Sequence, residues 1–278
     1  MRILHPTDFS EAAMRAHAVA QALRTALNGQ LTLLHAIEPP PRPSPYGDYW
    51  TPELEALFQQ ARQDWSAEAR KRLTTLDPEA QLEIEWTKPL PAILKYAQRA
   101  DLVVMGTHGP ETLAERILGS ITERVIELAG KPVVAVRAEA RVEPLKHLLV
   151  STAFADPSRR ALELAHRIAQ ATGARLTLLY VAEPVADPPV PIHMPEPRAP
   201  RRDEAHTQLL ARQLEALARP FGARPMLREG PPAKTLLEVA EEEAADLILV
   251  GKSRQSRFLG SVTREVLEQA PAPLLVHP

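Results

Sequence analysis

Apolar residues along this chain follow two rhythms. Short runs at Ile3–His5, Leu31–Ile37 and Leu102–Met105 are bounded by turn residues. Such runs suit strands buried on both faces, as in parallel sheets. Between them, apolar residues recur at helical spacing. Ser10 can cap a helix carrying Ala13, Ala16, Ala20, Leu23 and Leu27, and Asn28-Gly29 stops it. Pro52 sits in the first turn of a second helix reaching about Leu73. Gln81–Trp86 alternates as a third strand, and Pro91–Gln98 reads as a short helix. Ser120–Leu128 is the last helix and Pro132–Val136 the last strand. Strands alternating with helices predict an α/β class domain, doubly wound, with a five-stranded, mainly parallel sheet and helices on both faces. Right-handed crossovers then set the ligand crevice at the strand carboxyl ends.

The whole pattern occurs twice. Leu31–Pro39 reads LTLLHAIEP and Leu176–Pro184 reads LTLLYVAEP, at an offset of 145. Ala100–Gly106 (ADLVVMG) and Ala245–Gly251 (ADLILVG) share that offset. Arg116–Ala129 (RILGSITERVIELA) and Arg257–Ala270 (RFLGSVTREVLEQA) follow at 141. Each copy closes on a proline-led apolar run, Pro132–Val136 and Pro273–Val276. The matches keep their order, so the chain is one unit duplicated head to tail. Two domains are expected, 1–139 and 145–278, joined near the charged stretch Glu139–Pro144.

Composition narrows the function classes. The chain has 278 residues, 45% hydrophobic and 24% charged, with a net charge of −2. That mix suits a globule with a sizeable core and gives no basic excess for nucleic acid. The absence of cysteine removes disulfides, thiolate zinc sites and cysteine nucleophiles. The N-terminus is too polar for a signal peptide, and no apolar stretch spans a bilayer, so no membrane partner and a cytoplasmic location are expected. Many of the 28 prolines crowd into Pro39–Pro45 and Pro184–Pro200, tracts that read equally as lids or connectors.

One segment carries chemistry. After the fourth strand come Gly106-Thr107-His108-Gly109, nine residues, and Gly119-Ser120 opening a helix. A glycine at the strand end lets the chain turn without a Cβ clash, and a second lets backbone approach a ligand. The final Gly-Ser offers free N–H groups at a helix N-terminus, a natural anion site. Ser120 or Thr122 can add a side-chain hydrogen bond. The plainer reading is a long turn ended by a glycine and a serine cap.

These residues bring a family into view. The chain resembles a tandem universal stress protein, whose ATP-binding branch carries G-x2-G-x9-G-[ST] after its fourth strand. Gly106, Gly109, Gly119 and Ser120 match every position, and Pro6-Thr7-Asp8 matches the family's first-strand turn. The resemblance covers nearly the whole chain. It implies ATP in an extended crevice, usually with Mg, and little or no hydrolysis. It implies that Asp8 lines the adenosine side and that Ala36 offers backbone groups to adenine. The first site so implied comprises Pro6, Thr7, Asp8 and Ala36, then Met105, Gly106, His108 and Gly109, then Gly119, Ser120, Ile121 and Thr122. It also implies self-association through the last strand of each copy, either across chains or as an internal pseudo-dimer.

The second copy departs from that pattern. Arg254 stands where the second glycine belongs, only five residues separate it from Gly260-Ser261, and Ala153 replaces Asp8. The loop is basic, with Lys252, Arg254 and Arg257. Two readings stand equally for this copy: a second site around Thr152, Val181, Gly251, Lys252, Arg254, Gly260, Ser261, Val262 and Thr263 with altered contacts, or a Gly260-Ser261 kept only to start a helix that packs well. Gly251-Lys252-Ser253 is not a Walker loop, because Asp246 occupies the position of its first glycine. His5, His35 and His108 fall near strand carboxyl ends, yet no H-x-x-x-H or H-E-x-x-H pair suggests zinc. Trp65 is expected to be a core or lid contact. No catalytic residue is assigned. An ATP-binding regulatory protein is the leading expectation. A slow ATPase, a nucleotidyl-transferring enzyme and a nucleotide-free interaction module are the alternatives.

Overall fold

Every apolar run of the first copy forms a strand, and every helical stretch a helix. The elements are β1 (Arg2–Pro6), α1 (Glu11–Ala26), β2 (Gln30–Ala36), α2 (Pro52–Leu76), β3 (Gln81–Glu85), α3 (Pro89–Ala97), β4 (Leu102–Gly106), α4 (Ser120–Leu128) and β5 (Val133–Val136). The second copy repeats them as β6 (His147–Ser151), α5 (Asp156–Thr172), β7 (Arg175–Ala182), α6 (Glu204–Ala218), β8 (Arg224–Glu229), α7 (Pro232–Glu242), β9 (Leu247–Gly251), α8 (Ser261–Gln269) and β10 (Leu274–His277). The computed structural model describes residues 1–39, 51–107, 120–183, 204–252 and 259–278. Two compact units result, Met1–Ala138 and Glu139–Pro278. Apart from Pro39, the two proline tracts lie outside the described residues.

Within the first unit the strand order is β3-β2-β1-β4-β5, and within the second it is β8-β7-β6-β9-β10. All pairings inside each unit are parallel. The chain leaves β1 in one direction to β2 and β3, then crosses back to β4. The crevice of such a sheet opens where the order reverses, between β1 and β4 and between β6 and β9. The central strands are buried up to their last residue, which is half-buried in each, as the unbroken apolar runs require.

Helix α1 explains how closely the layers meet. Ser10 caps it by accepting from the Ala13 N–H at 3.3 Å. Its buried stripe is mostly alanine (Ala12, Ala13, Ala16 and Ala20), so its backbone comes down onto the sheet. A Cβ on Gly106 would stand 2.8 Å from both the Ala12 carbonyl carbon and the Ala13 nitrogen. A Cβ on Gly251 would stand 2.3 Å from the Ser158 nitrogen. Gly106 closes a regular strand, and the clash that glycine avoids there is with the helix lying against it.

Helix α2 runs to Leu76, three residues past its expected end. Its C-terminal turns bury Ala69 and Leu73. Trp65 is no core residue: it is 49% exposed and stacks in parallel on Trp86, with ring centroids 5.8 Å apart. Asp77, just after α2, is buried and accepts from Arg24 at 3.1 Å and Gln21 at 3.3 Å. Burial works to raise its pKa. The hydrogen bonds from Gln21 and the Glu79 N–H, with the Arg24 charge, outweigh that and hold it low.

His17 on α1 lies 4.0 Å from Asp77 and its ring is 5.4 Å from that of His5. His5 is fully buried and donates from Nδ1 to the Val104 carbonyl at 2.8 Å, while its Nε2 has no partner. Burial pushes His5 down to about 4 and lowers His17 as well.

Two predictions follow from this packing. An exposed histidine gains its proton near pH 6.5, but folded His5 stays neutral to about 4. Stability from this group is whole above about pH 6.5. It falls as the pH drops toward 4, by on the order of 3 kcal/mol. Denaturant midpoints of the first unit from pH 7 to 4 should fall along this slope. His5→Gln, which keeps a donor for Val104 but does not titrate, should make the slope shallower. Separately, Gly106→Ala should destabilise the first unit by about 1–3 kcal/mol in urea, because backbone atoms of α1 must move to admit the methyl group.

Candidate functional site

The turn after β1 is built from its own side chains. Thr7 is buried; its N–H donates to the Leu34 carbonyl at 2.8 Å. Its hydroxyl accepts from the Phe9 N–H at 3.1 Å, and its carbonyl accepts from His35 Nδ1 at 2.8 Å. Thr7 thus serves the turn rather than standing open. Pro6, the residue before it, is buried at the end of β1. Asp8 is exposed, and its Oδ1 accepts from the Ser10 N–H at 2.9 Å. The turn leaves the Asp8 carboxylate at the carboxyl end of β1, beside the switch point.

Ala36 is the last residue of β2 and pairs with Glu85. Backbone groups along a strand alternate between its two neighbours. The Leu34 carbonyl already points to the β1 side, where Thr7 bonds it. Ala36 therefore turns its N–H and C=O to that side too, one rung past the end of β1.

Across the switch point, Met105 is buried and Gly106 half-buried at the end of β4. Helix α4 opens at Ser120. Its first turn leaves backbone N–H groups without intrahelical partners, at the positive end of the helix dipole. Thr122 is buried, and its hydroxyl donates to the Gly106 carbonyl at 3.1 Å. It ties the helix start to the strand end, a structural use that competes with the ligand contact expected of it. Ile121 is exposed beside it. His108, Gly109 and Gly119 lie outside the described residues.

The second unit repeats the skeleton with other groups on it. The Thr152 N–H donates to the Leu179 carbonyl at 2.9 Å, and its hydroxyl accepts from the Phe154 N–H at 3.0 Å. Ala153 gives this turn no carboxylate, and Ala155 leaves α5 without a side-chain cap. Val181 matches Ala36 in register, pairing with Arg228. Lys252 is buried after Gly251, and its N–H donates to the His277 carbonyl at 2.7 Å. Gly260 caps α8 at φ −64° and ψ 152°, with nothing within 4 Å of the place its Cβ would take. Packing therefore does not demand glycine at 260. Val262 is exposed and Thr263 buried in the first turn of the helix that Ser261 opens. Arg254 lies outside the described residues.

Reading the sequence did not pick out an aromatic pair at each turn. Phe9 packs on His35 with centroids 4.9 Å apart, and Phe154 on Tyr180 at 4.7 Å. The signal lay in the repeat: both positions are aromatic or imidazole in both copies, at the offset of 145. Among the described residues, no group of three or more His, Asp or Glu side chains is arranged to hold a metal ion. No described helix is long and apolar enough to cross a membrane.

The profile of the universal stress protein family matches residues 1–137 and again 144–278. A universal stress protein of Mycolicibacterium smegmatis is 27% identical over 294 aligned positions, covering 96% of this chain and 92% of the relative. One from Thermus aquaticus is 33% identical over 138 residues, covering 47% of this chain and 97% of its own. The crystal structure of a universal stress protein from Archaeoglobus fulgidus superposes with a TM-score of 0.68 at 20% identity, covering 99% of this chain and 97% of that one. The chain belongs to the universal stress protein family, with one copy of the family's domain matched in each half.

Proposed function

We propose that the first unit binds ATP as a regulatory ligand with little or no hydrolysis, and that the second is an altered site of different affinity. The observation that carries this reading is one switch point bordered by an exposed carboxylate, a backbone rung beyond the end of β1, and the start of helix α4. A carboxylate such as Asp8 accepts hydrogen bonds from ribose hydroxyls. The N–H and C=O of Ala36 match the donor and acceptor on the edge of adenine. The first turn of α4, preceded by Gly119, suits phosphates through free N–H groups and the helix dipole. These groups fit a nucleotide; what the nucleotide supplies when bound is a change in which conformation or partner state is favoured.

Magnesium would accompany the phosphates, which usually supply much of its coordination. Rapid phosphoryl transfer needs metal-holding carboxylates and a positioned base. Asp8 is the obvious carboxylate of this crevice, which favours regulation over turnover. Self-association through β5 or β10, each terminal in its own unit's strand order, and a cytoplasmic location belong to the same reading.

Titration calorimetry on the full chain should detect ATP binding in the first unit. Asp8→Ala should weaken it by about tenfold or more, the scale of a hydrogen bond to a charged group. Gly119→Val should weaken it at least as much, and unchanged affinity there would remove the glycine segment from the site. Turnover should remain far below one per second. Many turnovers per second, abolished by Asp8→Ala, would make the protein an enzyme instead.

The second unit is tested in a Gly119→Val background. Gly260→Ala should leave its stability within about 0.5 kcal/mol, since the methyl group meets open space. It should reduce any remaining ATP binding. Undiminished binding would mean that Gly260-Ser261 only starts a helix.

A further inference from the structure

We propose that Arg72, on α2, is a positioning residue for Asp8: its guanidinium clamps Phe9 and so holds the turn that presents the carboxylate. The proposal rests on the nucleotide reading of the first unit.

Phe9 has φ 63°, in the left-handed region that a bulky side chain rarely adopts. Such a residue persists only where its surroundings hold it. Three contacts do so here. The Phe9 N–H donates to the Thr7 hydroxyl at 3.1 Å. One side of the ring meets His35, 4.9 Å between centroids. The Arg72 guanidinium carbon stands 3.8 Å from the ring centroid. His35 is itself tied to the Thr7 carbonyl at 2.8 Å, and Arg72 is anchored by its neighbour Leu73, which is fully buried. Asp8 is thus flanked by two residues whose places are set.

The second unit is an internal control. Phe154 has φ 57°, its N–H bonds the Thr152 hydroxyl, and its ring packs on Tyr180. The backbone turn and aromatic pair therefore form by themselves. Among the described residues no cation lies over Phe154, which is 38% exposed. That turn carries Ala153 where the first carries Asp8. Among the described residues the cation accompanies the carboxylate, whereas a purely architectural clamp would serve both turns alike. Arginine suits the task because a planar guanidinium stacks on a ring while staying solvated at its edge.

The test uses the full chain and two readouts. Without ligand, Arg72→Ala should speed amide hydrogen exchange at Phe9 and Ser10 about two- to fivefold, the scale of one exposed cation–π contact, and leave Phe154 unchanged. With ATP as the probe, the same variant should weaken binding in the first unit about two- to fivefold, and Arg72→Lys should recover part of both effects. In an Asp8→Ala background, Arg72→Ala should cause no further loss of affinity. Unchanged exchange at Phe9 and Ser10 overturns the clamp whether or not ATP binds. Losses that multiply in the double variant make Arg72 an independent contact and overturn the positioning role. If the wild-type chain binds no ATP, the ATP reading falls and the positioning role with it, while the exchange experiment still decides the clamp itself.

Discussion

The close approach of α1 to the end of β4 is the constraint on which the rest of the first unit depends. A helix backbone lies within van der Waals reach of a strand terminus only if the strand residue lacks a side chain. Gly106 meets that condition, and the alanine stripe of α1 meets it from the other side. The contact holds the start of α1, and with it the turn after β1, beside the carboxyl end of β4. Asp8 and the strand leading into α4 are thereby brought to one switch point, although about a hundred residues separate them in sequence. The second unit solves the same problem with Gly251 against Ser158.

On that shared frame the two units differ in what they offer. Both keep a threonine whose hydroxyl closes the turn, a phenylalanine at positive φ, and a ring packed upon it. These groups satisfy backbone donors or buried surface, so losing them would cost stability in either unit. Asp8, Ser10 and Thr107 in one unit become Ala153, Ala155 and Lys252 in the other. The turn after the first strand forms in both units, with Asp8 in one and Ala153 in the other. The two copies thus agree where groups pack or close the turn and differ at these three positions.

Much of this was legible in the sequence. Continuous apolar runs gave the strands because strands covered on both faces need no polar alternation. Proline, serine and asparagine-glycine marked helix ends for reasons of local backbone geometry. The length of α2 was less legible, because its last turn is held by Leu73 packing and by the Asp77 contacts with Arg24 and Gln21, which lie more than fifty residues away in sequence. The role of Gly106 was read from turn chemistry, whereas the demand comes from a helix near the other end of the unit. His5 was grouped with crevice histidines because β1 ends beside it; its ring instead points under α1, toward His17. The Arg72 contact with Phe9 had no local signal at all, since an arginine on an exposed helix face is unremarkable in sequence.

The stacked Trp65 and Trp86 have a consequence for how the molecule is observed. With Trp50, they are the chain's three tryptophans, and all belong to the first copy. The second copy's one tyrosine, Tyr180, rests against Phe154 at the turn after β6. Indole emission excited selectively thus reports on a single half of a duplicated chain. Near-parallel indoles 5.8 Å apart also couple electronically, so their circular dichroism follows the seating of α2 on β3. A protein built from two similar halves carries an optical label that tells them apart without any modification.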